Sequence, residues 1–458
     1  MGRERVAGDL AAGADVHAAG DPVDAQYWRG PADAGDRGAG TAHPGVRRRP
    51  RPGARTIPQD GEVTDRGWLG LHTSIWKIAS THVVVDGYTN IYAPLLPLLI
   101  PHLNMSLRTA GILAMCFQMA NSVSQLGFGA LADRWRPRLL VMTGPLLAVV
   151  VLSFVGVATT PLMLGVILVA GGLGGAAFHP PAAALVYRLA DHRKGLAMSV
   201  HLSGGSLGFS AAPILFAPFI AYMGLRWSPL IMIPGLLALS WTLRQVPPMT
   251  LPPAHERSTW ATLRPAAAPL ALLYFTIVLR TATTYGFMTF APTLLTRQGF
   301  TIAEASTAVS LYLFSSGIGG FFGGPLADRI GPRRVIVWSL IAAVPFMALA
   351  PRLSPIGFTA MLAIGGLLLQ STLPISVTFA QTFVKGGAAT VSSLMMGFAW
   401  GMGSLAVPLI GAGADRFGIE STLGVLAFLP LVAAALAAGL PSTGAVRAET
   451  ATPVAPLP

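Results

Sequence analysis

A polar stripe interrupts an apolar stretch early in the chain, where His82, Asp86 and Asn90 recur at every fourth residue. On an α-helix these positions share one face. A carboxylate in hydrocarbon is costly unless it is paired, hydrated or neutralised, so the stripe must face the protein interior or a watery cavity. A carboxyl group whose cationic partner approaches and withdraws can bind and release a proton. Asp86, with His82, is therefore our candidate for proton coupling; the alternative is a fixed interior ion pair or hydrogen bond.

Two further groups could bind an anion. Arg280 lies in a later apolar stretch, is always charged, and presents a planar donor fork that suits carboxylate or phosphonate oxygens. It is a candidate anion clamp, or alternatively a structural partner of Asp86. His179 precedes Pro180 and Pro181, which we expect to break their helix; since broken spans line protein or water, His179 should lie inside the bundle. It is the second anion-binding candidate, and the alternative is a neutral histidine bonded to the backbone.

A row of uncharged polar residues occupies the second apolar stretch at helical spacing. A further histidine, His201, lies in the fifth apolar stretch. The row would bind substrate oxygens in a cavity, or alternatively make hydrogen bonds between helices. With Asn90, the neutral substrate-binding candidates are Gln118, Asn121 and Gln125. His201 is a weaker candidate.

The high hydrophobic and low charged fractions of the chain indicate a membrane protein. Of the 458 residues, 53% are hydrophobic and only 11% are charged, with a formal net charge of +12; soluble domains contain roughly 25% charged residues. Apolar runs of about 20 residues predict twelve transmembrane helices. The predicted spans are 71–100, 107–131, 138–157, 161–188, 195–222, 227–245, 266–296, 302–326, 333–350, 355–382, 388–412 and 421–440.

The chain repeats itself, because "GALADRWRPRLLV" from Gly129 returns as "GPLADRIGPRRVIV" from Gly324. Such repeats are typical of secondary transporters, whose substrate site lies between the halves. We predict an all-α integral membrane protein of two pseudo-symmetric six-helix bundles. Its expected parts are a disordered tail (1–66), the first bundle (67–246), a cytoplasmic linker (247–265), the second bundle (266–440) and a second disordered tail (441–458).

The Lys and Arg residues of the short loops follow mainly even-numbered spans, which places both termini in the cytoplasm of a plasma (inner) membrane protein. No Walker loop, HExxH, GxSxG or Cys/His metal cluster is present, so an enzyme is not expected. We expect no metal or other cofactor, with the proton gradient as the energy source. The basic loops fit anionic lipid better than nucleic acid. The expected partners are a small-molecule substrate, protons and lipid, and the expected functional state is a monomer.

The duplicated loop resembles the G-x-L-A-D-R-x-G-x-R motif of the major facilitator superfamily. In that family the acid and arginines latch the two halves together on the cytoplasmic face when the transporter is open outward. The resemblance implies this role for Asp133, Arg134, Arg138, Asp328, Arg329 and Arg333. The alternative is a tight turn with positive charge inside. Arg136 stands where the family usually has Gly, so we expect a looser turn in the first loop.

Finer stretches are similar to the fosmidomycin-resistance-type drug efflux branch, notably "AAFHPPAAALVYRLADHRKGLAMSVHLSGGSLG" across the fourth and fifth spans. This resemblance implies proton-driven export of small toxic compounds or drugs, with an anionic substrate as one option. One alternative is a proton-symport importer of a metabolite on the same fold. The other is a transport-inactive membrane sensor or scaffold.

Overall fold

The computed structural model describes residues 67–132, 136–190, 193–244, 246, 263–384 and 388–441, all of them within the compact unit Glu62–Pro458. The predicted tails and most of the predicted linker lie outside these residues. The described residues fold into helices and contain no β-strand.

Among the described residues, ten helical segments are long and apolar enough to cross a membrane. They are Thr73–His102, Pro137–Val157, Pro161–Leu189, Lys194–Met223, Arg264–Arg297, Ile302–Ile330, Pro332–Arg352, Ile356–Thr382, Val391–Phe417 and Ile419–Ala438. The other two predicted spans are shorter helices in series. One comprises Leu107–Ser122 and Ser124–Ala132, and the other a 3-10 helix, Leu225–Ile231, followed by Met232–Leu243. We number all twelve as spans 1 to 12 in chain order.

Several spans consist of more than one regular helix. Span 10 comprises Pro355–Gln370 and Thr372–Thr382, and span 12 comprises Ile419–Leu426 and Leu429–Ala438. Span 11 contains a π-helical turn. Its parts are Ala388–Ser393, the turn Leu394–Phe398, Ala399–Ser404 and Val407–Phe417.

Span 1 was expected to be one helix, and it is two: Thr73–Thr89 and Tyr92–His102. Asn90 ends the first helix. The cause is Pro94, which has no N–H to donate to the carbonyl of Asn90 four residues earlier. The break therefore falls directly after the residues of the polar stripe.

Span 4 shows the opposite outcome, because the expected break at Pro180 and Pro181 is absent. Pro161–Leu189 is one helix, with both prolines inside it. Each proline removes one backbone hydrogen bond, and packed neighbouring spans let a membrane helix tolerate that loss. The prediction of a broken span was wrong, although His179 does lie within the bundle.

Spans 1 and 5 pack with their backbones close together, as the fourfold spacing of small residues in span 5 predicts. A methyl group at Gly208 would overlap the carbonyl of Val83, and one at Gly204 would overlap the carbonyl of Ala79. Both positions must therefore stay without a side chain. This close packing presses the polar face of span 1 against span 5.

The two halves are joined at one end of the bundle by a carboxylate. Asp415, at the end of span 11, accepts hydrogen bonds from the backbone N–H groups of Leu107 and Arg108, each at 2.8 Å. These N–H groups belong to the first turn of span 2, where a helix leaves its donors unpaired. We call this contact the Asp415 clasp. The duplicated loops lie at the opposite ends of spans 2 and 8.

Candidate functional site

Spans 1, 4 and 5 bring together a group of titratable side chains. The Nε2 atom of His82 lies 3.2 Å from Oδ2 of Asp86, and Nε2 of His179 lies 3.5 Å from Oδ1 of the same carboxylate. The ring of His201 packs against that of His82 with 4.3 Å between centroids. We call these four residues the His/Asp cluster. His179, predicted to bind substrate, thus adjoins the two residues predicted to couple protons.

The hydrogen bonding of His82 fixes where its proton lies. Its Nδ1 atom is 2.8 Å from the backbone carbonyl oxygen of His201, and because a carbonyl only accepts, Nδ1 must carry a hydrogen. The Nε2 atom of a neutral His82 would then turn a lone pair toward Asp86. Two acceptors do not approach to 3.2 Å without a cation between them. The pair therefore shares a proton, on either the ring or the carboxyl group.

A glycine of span 5 makes room for this pair. A methyl group at Gly205 would lie 2.5 Å from Oδ2 of Asp86 and 2.7 Å from Nε2 of His82. Any side chain here would displace one or both groups.

Asn90 lies farther along the stripe and is already satisfied by protein. Its Nδ2 donates to the carbonyl of Phe209 at 2.7 Å. With Gln118, it lines a cavity of about 20 Å³ between the halves, near Tyr285 and Val407. That volume suits one water molecule. The structure thus places two predicted substrate contacts where the halves are closed against each other.

The residues of the predicted neutral row have different surroundings, and their role in substrate binding stays a prediction. Asn121 packs beside span 4, because a methyl group at Gly175 would lie 2.5 Å from its Oδ1 atom. That oxygen has no hydrogen-bond partner within the described part of the chain. Gln125 donates from Nε2 to the carbonyl of Asn121 at 2.9 Å. Val123, where the two helices of span 2 meet, has helical backbone angles, and its N–H donates to the carbonyl of Met119, so span 2 keeps its helical register there.

Arg280 sits in span 7 and is only 3% exposed. Its Nη1 donates to Oε1 of Gln370 in span 10, and its Nη2 donates to Oγ1 of Thr281 at 3.2 Å. Among the described residues, Nε has no acceptor, and the ion pair with Asp86 that was the alternative is not formed. The guanidinium is thus a buried cation held by neutral groups.

The His/Asp cluster and the Arg280–Gln370 pair occupy corresponding spans of the two halves. His82 and His179 belong to spans 1 and 4, whereas Arg280 and Gln370 belong to spans 7 and 10. Sequence reasoning missed Gln370; its signal was a lone amide in the apolar repeat "IGGLLLQ". It also missed the role of the His201 backbone, for which a sequence gives no signal.

The predicted latch is only partly described. Asp133 and Arg134 lie outside the described residues. Arg138, Asp328 and Arg329 are exposed, and Arg333 is half-buried. Within the described ranges none of these last four forms an ion pair. Their role as a latch stays a prediction.

The two loop copies differ in backbone conformation. Gly331 in the second loop has φ +94°, a left-handed conformation that favours glycine. Arg136, at the matching position of the first loop, has φ −79° and ψ +84°. The first loop therefore turns in a different way, in line with its departure from the motif.

Known proteins match nearly the whole membrane body of the chain. The profile of the Major Facilitator Superfamily matches residues 78–303 and 273–456. An MFS-type transporter of Bacillus subtilis (strain 168) is 30% identical over 385 residues, covering 81% of this chain and 93% of the relative. The fosmidomycin resistance protein of Escherichia coli (strain K12) is 27% identical over 368 residues, covering 78% and 89%.

A solved structure shares the architecture at low sequence identity. It is a bacterial homologue of the human lysosomal transporter Spinster, in an inward-facing and occupied conformation. The TM-score is 0.67 at 16% identity, over 79% of this chain and 95% of that one. This similarity concerns the fold of the helical bundle.

Proposed function

Because the chain belongs to the major facilitator superfamily and is a multi-pass membrane transporter, we propose that it exports small toxic compounds or drugs bearing an anionic group, in exchange for protons. Transport proceeds by alternating access, in which one end of the bundle closes as the other opens. The energy comes from the proton gradient, and the substrate is a small molecule.

The observation that carries this proposal is the buried cation of Arg280, which has no ion-pair partner among the described residues. Buried charges in proteins are normally paired, because removal from water is costly. Arg280 is 3% exposed, yet its described partners, Gln370 and Thr281, are neutral. An anion from the substrate would supply the missing charge, and the free Nε atom gives it a donor. A carboxylate, phosphonate or similar group fits the planar fork.

The His/Asp cluster supports proton coupling. His82 and Asp86 face each other across 3.2 Å with one proton between them, and the carboxylate touches a second imidazole, that of His179. When the halves move, a change in these distances would alter the affinity for that proton. Asp86 and His82 therefore carry the coupled proton.

Both direction and orientation are part of the proposal. The similarity to a fosmidomycin resistance protein supports export from the cell. The basic loops that follow even-numbered spans support cytoplasmic termini in the plasma (inner) membrane. In that orientation the Asp415 clasp closes the outer end, while the latch residues Asp328 and Arg329 at the cytoplasmic end form no ion pair with any described residue.

The deciding experiment separates coupling from transport. Purified wild type and Asp86→Asn are reconstituted in proteoliposomes, with a panel of phosphonate, carboxylate and neutral drugs as substrates. We expect Asp86→Asn to lose uphill, proton-driven transport while keeping substrate exchange between the two sides. Glu420→Gln, at the surface and outside both the cluster and the latch, controls for the loss of a carboxylate alone and should keep its coupling. Uphill transport by Asp86→Asn at the wild-type rate would refute the proton role.

The two alternatives predict other outcomes. An importer would leave drug susceptibility of a host cell unchanged or raise it, whereas an exporter lowers susceptibility to its substrate. A sensor would bind ligand without any proton signal in proteoliposomes. The buried unpaired Arg280 favours a protein that binds anions, which a scaffold does not need.

A further inference from the structure

We propose that His82, Asp86 and His179 form a binding site for a divalent transition-metal cation of the zinc type. Each residue offers one ligand atom, and these atoms lie within 4.8 Å of one another. The three residues come from two spans that the fold holds together, so the site exists without large rearrangement. Spacing along the sequence did not reveal it, because His179 is remote from the other two.

The distances suit tetrahedral coordination. Zinc binds imidazole nitrogen and carboxylate oxygen at about 2.0–2.2 Å, so neighbouring ligand atoms of a tetrahedral site are about 3.3–3.6 Å apart. The two measured edges, from Asp86 to His82 and to His179, are 3.2 and 3.5 Å. The ligand atoms of the two imidazoles lie within 4.8 Å of each other.

A second layer of hydrogen bonding already orients one ligand. Metal-binding histidines normally donate their other ring N–H to a carbonyl or carboxylate, which points the free nitrogen at the metal. His82 does this, since Nδ1 donates to the backbone carbonyl of His201 at 2.8 Å. Its Nε2 lone pair is thereby aimed at Asp86. Gly205 keeps the space beside both groups free of a side chain.

The ligand types decide the class of cation. Two imidazoles and one carboxylate suit zinc and its neighbours, whereas magnesium and calcium prefer oxygen ligands alone. The side chains of Asp86 and His179 are 15% and 18% exposed, so packed protein does not fully cover the ligand atoms. Water would fill the fourth position, as it does in zinc sites with three protein ligands.

The metal would occupy the lone pairs that hold the shared proton of His82 and Asp86. This inference uses residues of the proposed coupling site, but it requires neither transport nor a gradient. Metal binding is measured at equilibrium on purified protein, so it can succeed or fail independently of the proton-exchange experiment.

The test is a titration of detergent-purified protein, prepared without a polyhistidine tag, with Zn²⁺ in competition with a chromogenic chelator. We expect one bound Zn²⁺ per chain. His82→Gln, Asp86→Asn and His179→Gln should each weaken binding by more than about 10-fold, because losing only a group that hydrogen-bonds to a metal ligand already costs about that much. His102→Gln, an exposed histidine outside the cluster, is the matched control and should bind as wild type.

A rescue variant separates loss of a ligand from loss of the fold. His179→Cys replaces imidazole with a thiolate, which zinc also accepts, so it should keep stoichiometric binding where His179→Gln loses it. With Co²⁺ in place of Zn²⁺, this variant should gain the absorption band of a cobalt–thiolate bond. Absence of stoichiometric binding by the wild type, or wild-type affinity in the three glutamine and asparagine variants, would overturn the proposal.

Discussion

Removal of the Asp415 carboxylate should open the end of the bundle that it now holds shut. The carboxylate accepts two backbone hydrogen bonds, from Leu107 and Arg108, both at 2.8 Å and both across the boundary between the halves. Hydrogen bonds to a charged group contribute about 1.5–3 kcal/mol each. Asp415 is exposed, so water replaces part of what is lost, and we expect Asp415→Ala to cost about 1–2 kcal/mol in total. That corresponds to about a 5- to 30-fold shift between closed and open ends.

Spin labels at His102 and Glu420, which are exposed on opposite halves at this end, would report the change as a distance distribution. Cys116 is first replaced by Ser to remove the other thiol. Asp415→Ala should populate a longer distance, and Asp415→Asn, which keeps an acceptor but not the charge, should fall between it and wild type. Arg416→Ala controls for a neighbouring charge. A distribution for Asp415→Ala that superposes on wild type would contradict the clasp.

Three further predictions concern the polar groups. Arg280→Lys keeps the charge but loses the planar fork, so affinity for an anionic substrate should fall about 10-fold or more; equal affinity in a binding assay would refute the clamp. Gln370→Leu leaves Nη1 of Arg280 unpaired and should lower the thermal unfolding temperature of substrate-free protein, with the substrate restoring part of it; an unchanged melting curve would contradict this role. Gly205→Ala should cost about 1–3 kcal/mol through overlap with the His82 and Asp86 side chains, as measured by thermal unfolding. Gly195→Ala, with open space around it, should behave as wild type.

The lengths of the apolar runs and the internal sequence repeat were sufficient to predict the architecture. Runs of apolar residues marked the twelve helical stretches seen among the described residues, and the duplicated loop motif indicated the family and the two halves. These features can be recognised in a sequence because the bilayer requires every span to be apolar over a similar length and to be helical. Helix interruptions were not predictable in the same way. Pro94 breaks span 1, yet Pro180 and Pro181 leave span 4 intact, because the neighbouring packing decides the outcome.

Helical spacing in the polar stripe predicted the contact within span 1 but not the contacts between spans. Helical spacing placed His82 and Asp86 together, and they do form a pair. It could not show that His179 would join them or that Arg280 would bind Gln370, since both contacts depend on how separate spans pack. Nor could spacing show that the row from Gln118 onward would have different neighbours: Gln118 lines the small cavity between the halves, whereas Asn121 packs against span 4.

The Asp415 clasp is made by a side chain on one half and by the main chain on the other. Every residue except proline supplies the same N–H, so substitutions at Leu107 and Arg108 cannot remove the donors unless they introduce proline. The chemical identity of the contact therefore depends on the Asp415 side chain alone, since positions 107 and 108 can vary without losing their donors. A lineage could adjust how long its transporter rests with this end closed by exchanging Asp415, provided that Gly111 and Gly411 still let the two helices approach.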